Sequence, residues 1–218
     1  MFLHTHPYSP FIPKNATKLI VGTLPPPRFS VKEFKEGDVN FSYGSRDGYL
    51  WPILDRIFSL NLAYKTTEEA IQQRKLFLSV YRIGICDIVA SAERENIDAS
   101  DLGMTNIKCR DLIFYLNENP SIETILFMGG NSKNGPEYLF RRQLKEKGIA
   151  LETISSEVPR EYQFKIGSRI ITTVSLTAPS GAANRAVGAI AEYKALKKKH
   201  PNLNTIDFRV LQYINYFV

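Results

Sequence analysis

The sequence predicts a single α/β domain built on a mainly parallel sheet, and three observations carry that expectation. Four short apolar runs rich in β-branched residues stand apart from one another, segments with helical spacing lie between them, and 218 residues suit one domain with elaborations. At 44% hydrophobic and 23% charged residues, the chain has the composition of a globular protein with a proper core. Residues 1–17 read as an N-terminal arm and 204–218 as a C-terminal packed helix.

The strand runs are Lys18–Leu24 (KLIVGTL), Gly84–Ala90 (GICDIVA), Thr124–Met128 (TILFM) and Arg169–Leu176 (RIITTVSL), with Gly or Pro close to most of their ends. The first helix is expected over Leu50–Phe58, where Leu50, Ile53, Leu54, Ile57 and Phe58 form an i, i+3, i+4, i+7, i+8 stripe. Further helices are expected over Glu68–Tyr81, Asn106–Asn117, Pro136–Lys147 and Ala183–Lys199. The last closes on KKKHP, which places positive charge where the helix dipole favours it and a proline as the stop. Strands alternating with helices give a sheet covered on both faces, and ligands in such sheets bind beyond the carboxyl ends of the strands. The segments GTLPPPRFS, ASAEREN, GGNSKNG and TAPSGAANR follow the strand runs, so chemistry is expected there.

Composition excludes several functions. The two cysteines, Cys86 and Cys109, are too few for an iron–sulfur cluster or a closed zinc site. His4, His6 and His200 lack metal-ligand spacing apart from the weak His4-x-His6 pair, so no metal and no cofactor are expected. No stretch approaches the roughly 20 apolar residues that span a bilayer. The N-terminal MFLHTHPYSPFIPKNATK has prolines and polar residues where a signal peptide needs an apolar run. A cytoplasmic location, reduced thiols and a monomer are the corresponding expectations. Neither G-x-G-x-x-G nor a Walker pattern occurs, which leaves dinucleotide and nucleoside-triphosphate readings without support. The formal net charge is +6, and residues 141–200 hold twelve Lys/Arg against five Asp/Glu. Such a localised basic surface suits a polyanion such as nucleic acid; a solvated face is the plainer alternative.

The first strand runs into Gly22-Thr23-Leu24-Pro25-Pro26-Pro27-Arg28, whose prolines stiffen a loop that then loses little entropy on docking a ligand, or that merely turns away from the sheet. In Phe41–Pro52, Tyr43, Tyr49 and Trp51 interleave with Arg46 and Asp47. Aromatic faces stack on bases and an Asp can orient or deprotonate water, whereas Trp51, in phase with the apolar stripe, suits the core. Asp87 stands inside an apolar run, costly unless hydrogen-bonded, and is suited either to a ligand's N–H groups or to capping a loop; Ser91 follows. In Thr177-Ala178-Pro179-Ser180-Gly181-Ala182-Ala183-Asn184-Arg185, small residues allow close approach and the helix start offers N–H groups to a phosphate. Thr177, Ser180, Asn184 and Arg185 add hydrogen bonds and a charge, although Ser180 or Asn184 would equally serve as a helix cap.

In this order, glycine–x–x–proline after the first strand, an aromatic segment ending in Trp51-Pro52, and a last loop with Ser180-Gly181 and Asn184-Arg185 resemble the uracil-DNA glycosylase superfamily. The resemblance spans Lys18 to about Lys197 and is strongest to the hypoxanthine/uracil and mismatch-specific branch. That branch's W-D-V-L-x-S-x-x-R stretch is similar to Cys86–Arg94, with Cys86 at the tryptophan. It implies a three-layer αβα fold with a four-stranded, mostly parallel sheet, and hydrolysis of the N-glycosidic bond of a base flipped from DNA. It also implies that Gly22, Thr23, Pro25 and Pro26 form the water-activating loop and that Tyr43, Asp87 and Ser91 serve the base. Thr177 would support the reaction, while Arg28, Arg46, Ser180, Gly181, Asn184 and Arg185 would grip DNA. Leu24 stands where many members carry a water-positioning Asp or Asn, Gly48 where the hypoxanthine branch carries an asparagine, and no histidine occurs in TAPSGAANR. Asp47, beside Gly48, is the expected replacement, and a glycosylase fold that binds nucleic acid or a free base without cleavage is the alternative.

Overall fold

The computed structural model describes residues 1–97 and 100–218. Among them the strands are β1 (Phe2–Thr5), β2 (Lys18–Val21), β3 (Ile83–Ile85), β4 (Val89–Arg94), β5 (Thr105–Cys109), β6 (Thr124–Phe127), β7 (Glu152–Ser155), β8 (Arg160–Ile166) and β9 (Arg169–Ser175). The helices are α1 (Leu50–Phe58), α2 (Glu68–Val80), α3 (Leu112–Glu118), α4 (Pro136–Glu146), α5 (Asn184–Ala189), α6 (Ala191–Lys199) and α7 (Thr205–Phe217).

Strands β3, β2, β6 and β9 run parallel, in that order, through the four apolar runs. The expected four-stranded sheet is nevertheless six-stranded, because β8 and β7 extend it antiparallel beyond β9. Sequence reasoning passed over β8, although Tyr162 and Phe164 alternate inward along it and Gly167, at φ +58°, turns the chain into β9.

Side chains of the parallel strands alternate between two apolar clusters. Leu19, Val21, Ile125 and Phe127 pack with Leu112 and Leu116 of α3 and with Leu139, Phe140 and Leu144 of α4. Ile20, Leu126, Met128 and Val174 pack with Leu50, Trp51 and Leu54 of α1, with Phe77 and Leu78 of α2, and with Tyr213 and Phe217 of α7. Period-2 alternation along the parallel strands thus places helices on both faces. Trp51 is a core residue whose Nε1 donates to the Ser42 carbonyl at 2.9 Å. Helix α7 starts on an Asn204–Asp207 capping box.

Four further expectations are corrected. GICDIVA is not one strand: the chain leaves the sheet after Ile85 and resumes as β4 in a separate antiparallel sheet ordered β1–β4–β5. Most of ASAEREN is therefore strand rather than loop. The N-terminal arm contains β1, paired along β4 from Phe2↔Arg94 to Thr5↔Ser91, and it buries His4 and His6. The helix expected from Asn106 begins only at Leu112, where the Asp111 side chain accepts from the Phe114 N–H; Thr105–Cys109 pairs with β4 instead. The helix expected over Ala183–Lys199 breaks at Ile190, which is extended at φ −66° and ψ 129°. The thiols of Cys86 and Cys109 are free. Among the described residues, no helix is long and apolar enough to cross a membrane, and no group of His, Cys, Asp and Glu is placed to hold a metal ion.

Candidate active site at the strand ends

The carboxyl ends of all four parallel strands open into one cleft of about 940 Å³. Gly22 to Arg28 follow β2, Asp87 follows β3, Met128 follows β6, and Ala178 to Ala182 follow β9. Tyr43 to Tyr49 supply the remaining wall, with Asp101 and Ile97 on another side.

The floor is a closed network around Asp87. Its Oδ1 accepts from the Gly22 N–H at 2.8 Å and from the Tyr43 hydroxyl at 2.9 Å, and its Oδ2 lies 2.9 Å from His6 Nε2. His6 Nδ1 accepts from the Tyr8 N–H, which leaves the proton on Nε2 to be donated to Asp87. Two carboxylate oxygens offer about four acceptor sites, so one remains on Oδ2. Burial first, and the Asp87 charge second, hold the Tyr43 hydroxyl well above its ordinary pKa, so it stays a donor. A Cβ on Gly22 would lie 2.1 Å from the Tyr43 hydroxyl oxygen, which explains the glycine at this step.

The rim is organised by Asp38, a fully buried carboxylate. It accepts from Arg28 Nε and Nη2 at 2.8 and 2.9 Å and from the N–H groups of Lys35 and Arg46. Burial alone would raise its pKa, but the bonds from Arg28, Arg46 and Lys35 outweigh burial and hold it below the usual range. Arg28 also reaches Ser45 at 2.9 Å and Asp47 at 3.3 Å. Arg28, expected to grip DNA, thus braces the rim while lining the cleft. Asp47 stands on the cleft wall with its side chain 69% exposed.

The last loop is pinned from behind by Arg209 of α7, which donates to the carbonyls of Ala178 and Ser180, and by the Tyr49 N–H on the Pro179 carbonyl. Neither expected cap forms. Ser180 makes no side-chain capping bond, and the Asn184 amide oxygen accepts from Thr205 and Arg209 of α7 instead. Thr177 donates through its N–H and its hydroxyl to Gln212 and accepts the Tyr213 hydroxyl on its carbonyl. It is a strut behind the loop rather than a group facing the cleft.

Sequence reasoning missed Asp101. This half-buried carboxyl lines the cleft and accepts the Thr23 hydroxyl at 2.7 Å. Burial raises its pKa to about 6, against the opposing effects of Thr23 and Arg94. An acidic residue soon after ASAEREN is the available signal, but that segment ends at Asn96, five positions short of it. His6 was missed because its partner lies 81 residues away.

The structure therefore gathers Gly22, Thr23, Pro25, Pro26, Arg28, Tyr43, Arg46, Asp47, Asp87, Ser180 and Gly181 around one cavity. Among the described residues its lining does not include Thr177, Ser91, Asn184 or Arg185. Ser91 is buried within β4 and Arg185 is exposed on α5.

This fold has a solved counterpart. A solution NMR structure from Methanosarcina acetivorans, described as a "putative Uracil DNA glycosylase", covers 99% of this chain over 97% of its own, with a TM-score of 0.57 and 16% identity. At that identity the likeness establishes the fold. No family model matches the sequence, and no curated protein matches it.

Proposed function

We propose that this chain is a monofunctional DNA glycosylase that hydrolyses the N-glycosidic bond of a deaminated base, such as uracil or hypoxanthine, flipped into the cleft. One observation carries the reading: in a fold shared with a protein so described, all four parallel strand ends meet at a cavity lined by Tyr43 and Tyr49 and by three carboxyls, Asp47, Asp87 and Asp101, in unlike environments. A flipped base enters beside Tyr43 and meets Asp87 Oδ2, whose remaining acceptor site suits a ring N–H. The bond breaks towards a cationic sugar and an anionic base, so fixed charge near the sugar stabilises the transition state. Asp47 orients the attacking water from the rim. Asp101, poised to lose its proton near pH 6, is the second carboxyl able to accept a proton from that water as its oxygen bonds to the sugar carbon.

The test is base release from labelled single- and double-stranded oligonucleotides containing uracil, hypoxanthine or xanthine, read by strand scission at the resulting abasic sites. Wild type should give product, Asp47→Ala and Asp101→Asn at least about 100-fold less. A second reading, a binding module without cleavage, is favoured by the Arg28 hydrogen bond to Asp47 and by apolar Leu24 in the loop after β2, where a water-positioning group is expected. It is the conclusion if no substrate is turned over while DNA binding persists.

A further inference from the structure

A second hollow, of about 570 Å³, adjoins the cleft and is lined by Glu36, Gly37, Arg46, Tyr64, Lys65 and Thr66. Arg46 lines both cavities. The same frame supports both: the carboxylate of Asp38 holds Arg28 and the Arg46 N–H on the cleft side, while its carbonyl accepts the Thr66 hydroxyl at 2.9 Å on the other.

Tyr64 is held in place rather than merely exposed. Its hydroxyl donates to Asp55 at 3.3 Å, and the guanidinium of Arg74 lies 5.2 Å from its ring centroid. Arg74 is fully buried, also 5.2 Å from Trp51, and its hydrogen bonds go to the carbonyls of Ala63 and Ala70. Its Nε and Nη2 have no partner among the described residues. A buried guanidinium bonded to neutral carbonyls stands behind the ring, and the exposed side chains of Arg46 and Lys65 add positive charge against the carboxylates of Asp55, at the ring hydroxyl, and Glu36. A fixed, cation-backed aromatic ring beside two exposed cations, Lys65 and Arg46 with its Nη1 on the Glu36 carbonyl at 2.9 Å, is the combination that takes a base by stacking and its phosphate by charge.

We propose that this hollow is a subsite for the nucleotide flanking the one in the cleft, its base stacked on Tyr64 and the intervening phosphate held by Arg46 and Lys65. The proposal rests on the glycosylase reading only for which nucleotide occupies the cleft. The shared Arg46 fits a strand that passes from one cavity into the other, since one phosphodiester joins adjacent nucleotides.

The test is fluorescence anisotropy with a labelled deoxythymidine dodecamer and, by competition, with deoxyuridine monophosphate, for wild type, Tyr64→Ala, Tyr64→Phe and Lys65→Ala. Tyr64→Ala and Lys65→Ala should each weaken dodecamer binding about tenfold and leave the mononucleotide unchanged, and Tyr64→Phe should bind as wild type. On a uracil-containing strand the first two should raise KM with kcat held. Lys65 is exposed, so Lys65→Ala tests the site even where Tyr64→Ala lowers stability. Unchanged dodecamer affinity in both variants, equal weakening for the mononucleotide, or a wild type that binds no dodecamer at low salt overturns the proposal. Tyr64-dependent binding without base release supports the subsite while removing the glycosylase reading. Base release that is indifferent to Tyr64 and Lys65 does the reverse.

Discussion

Gly22 shows how one backbone position sets the site. A methyl group there would meet the Tyr43 hydroxyl oxygen at 2.1 Å and Asp87 Oδ1 at 2.9 Å, so Tyr43 must swing away and the Asp87 network opens. Gly22→Ala should cost about 2 kcal/mol in denaturant unfolding, roughly what a broken buried polar network costs, and should abolish base binding. Asp38 and Asp47 share Arg28 yet differ in consequence. Asp38→Ala strips a buried hub of four donor bonds and should destabilise by about 3 kcal/mol. Asp47→Ala removes a largely exposed partner and should stay within about 0.5 kcal/mol of wild type, so any lost turnover there is chemical in origin. Asp38 itself was not legible in the sequence, because nothing in GDVN announces that its side chain is buried under Arg28 and Arg46.

At the scale of elements, legibility followed burial. Runs such as KLIV and TILF are strands buried on both faces, and their composition alone marks them. Strands β5 and β7 have no buried residue, so their sequences look like loop or helix, and pairing with β4 and β8 decides their conformation. The cleft was legible where a strand end carries a loop of small or stiff residues. It was not where β1 brings His6 to Asp87 from the far N-terminal side. Helix α6 illustrates the converse case. It buries no residue and carries Lys194, Lys197, Lys198 and Lys199, so charge rather than packing explains its composition. Replacing Lys194, Lys198 and Lys199 together by Gln should leave the melting temperature within about 2 °C, since exposed charges contribute little to stability. On the proposed function, it should flatten the salt dependence of DNA binding by about 0.9 in log–log slope for each phosphate no longer neutralised, measured by titration at several salt concentrations.

For the whole molecule, two groups of opposite sign, His4 and Asp101, act between about pH 4 and 6. Burial, aided by Arg94 and His6, lowers the His4 pKa to about 4, so between about 4 and 6.5 the unfolded chain holds a proton that the folded one lacks, and stability rises with pH. The raised pKa of Asp101, about 6, means the folded chain holds the extra proton between about 4 and 6, and stability falls with pH. The two slopes oppose each other across the same window. Unfolding of wild type should therefore be nearly flat from pH 4 to 6, Asp101→Asn should gain stability with rising pH, and His4→Asn should lose it. Parallel curves for all three proteins would contradict this assignment. Asp38, held low, contributes stability that disappears only as pH falls below the ordinary carboxylate range.

Phe11 forms a bridge of two hydrogen bonds to Ile85, at 2.9 and 2.8 Å, along the outer side of β3. An open sheet normally exposes unpaired backbone at its borders, where a second molecule can add a strand. Here the proline-flanked residue Phe11 occupies one border, and on the other β7 is four residues long and shifts register between Thr153 and Ser155. Both borders of the sheet thereby offer little regular backbone on which a further strand could pair. Phe11→Pro, which removes the N–H that donates to Ile85, should open the β3 border, and light scattering should then grow with protein concentration where wild type stays flat.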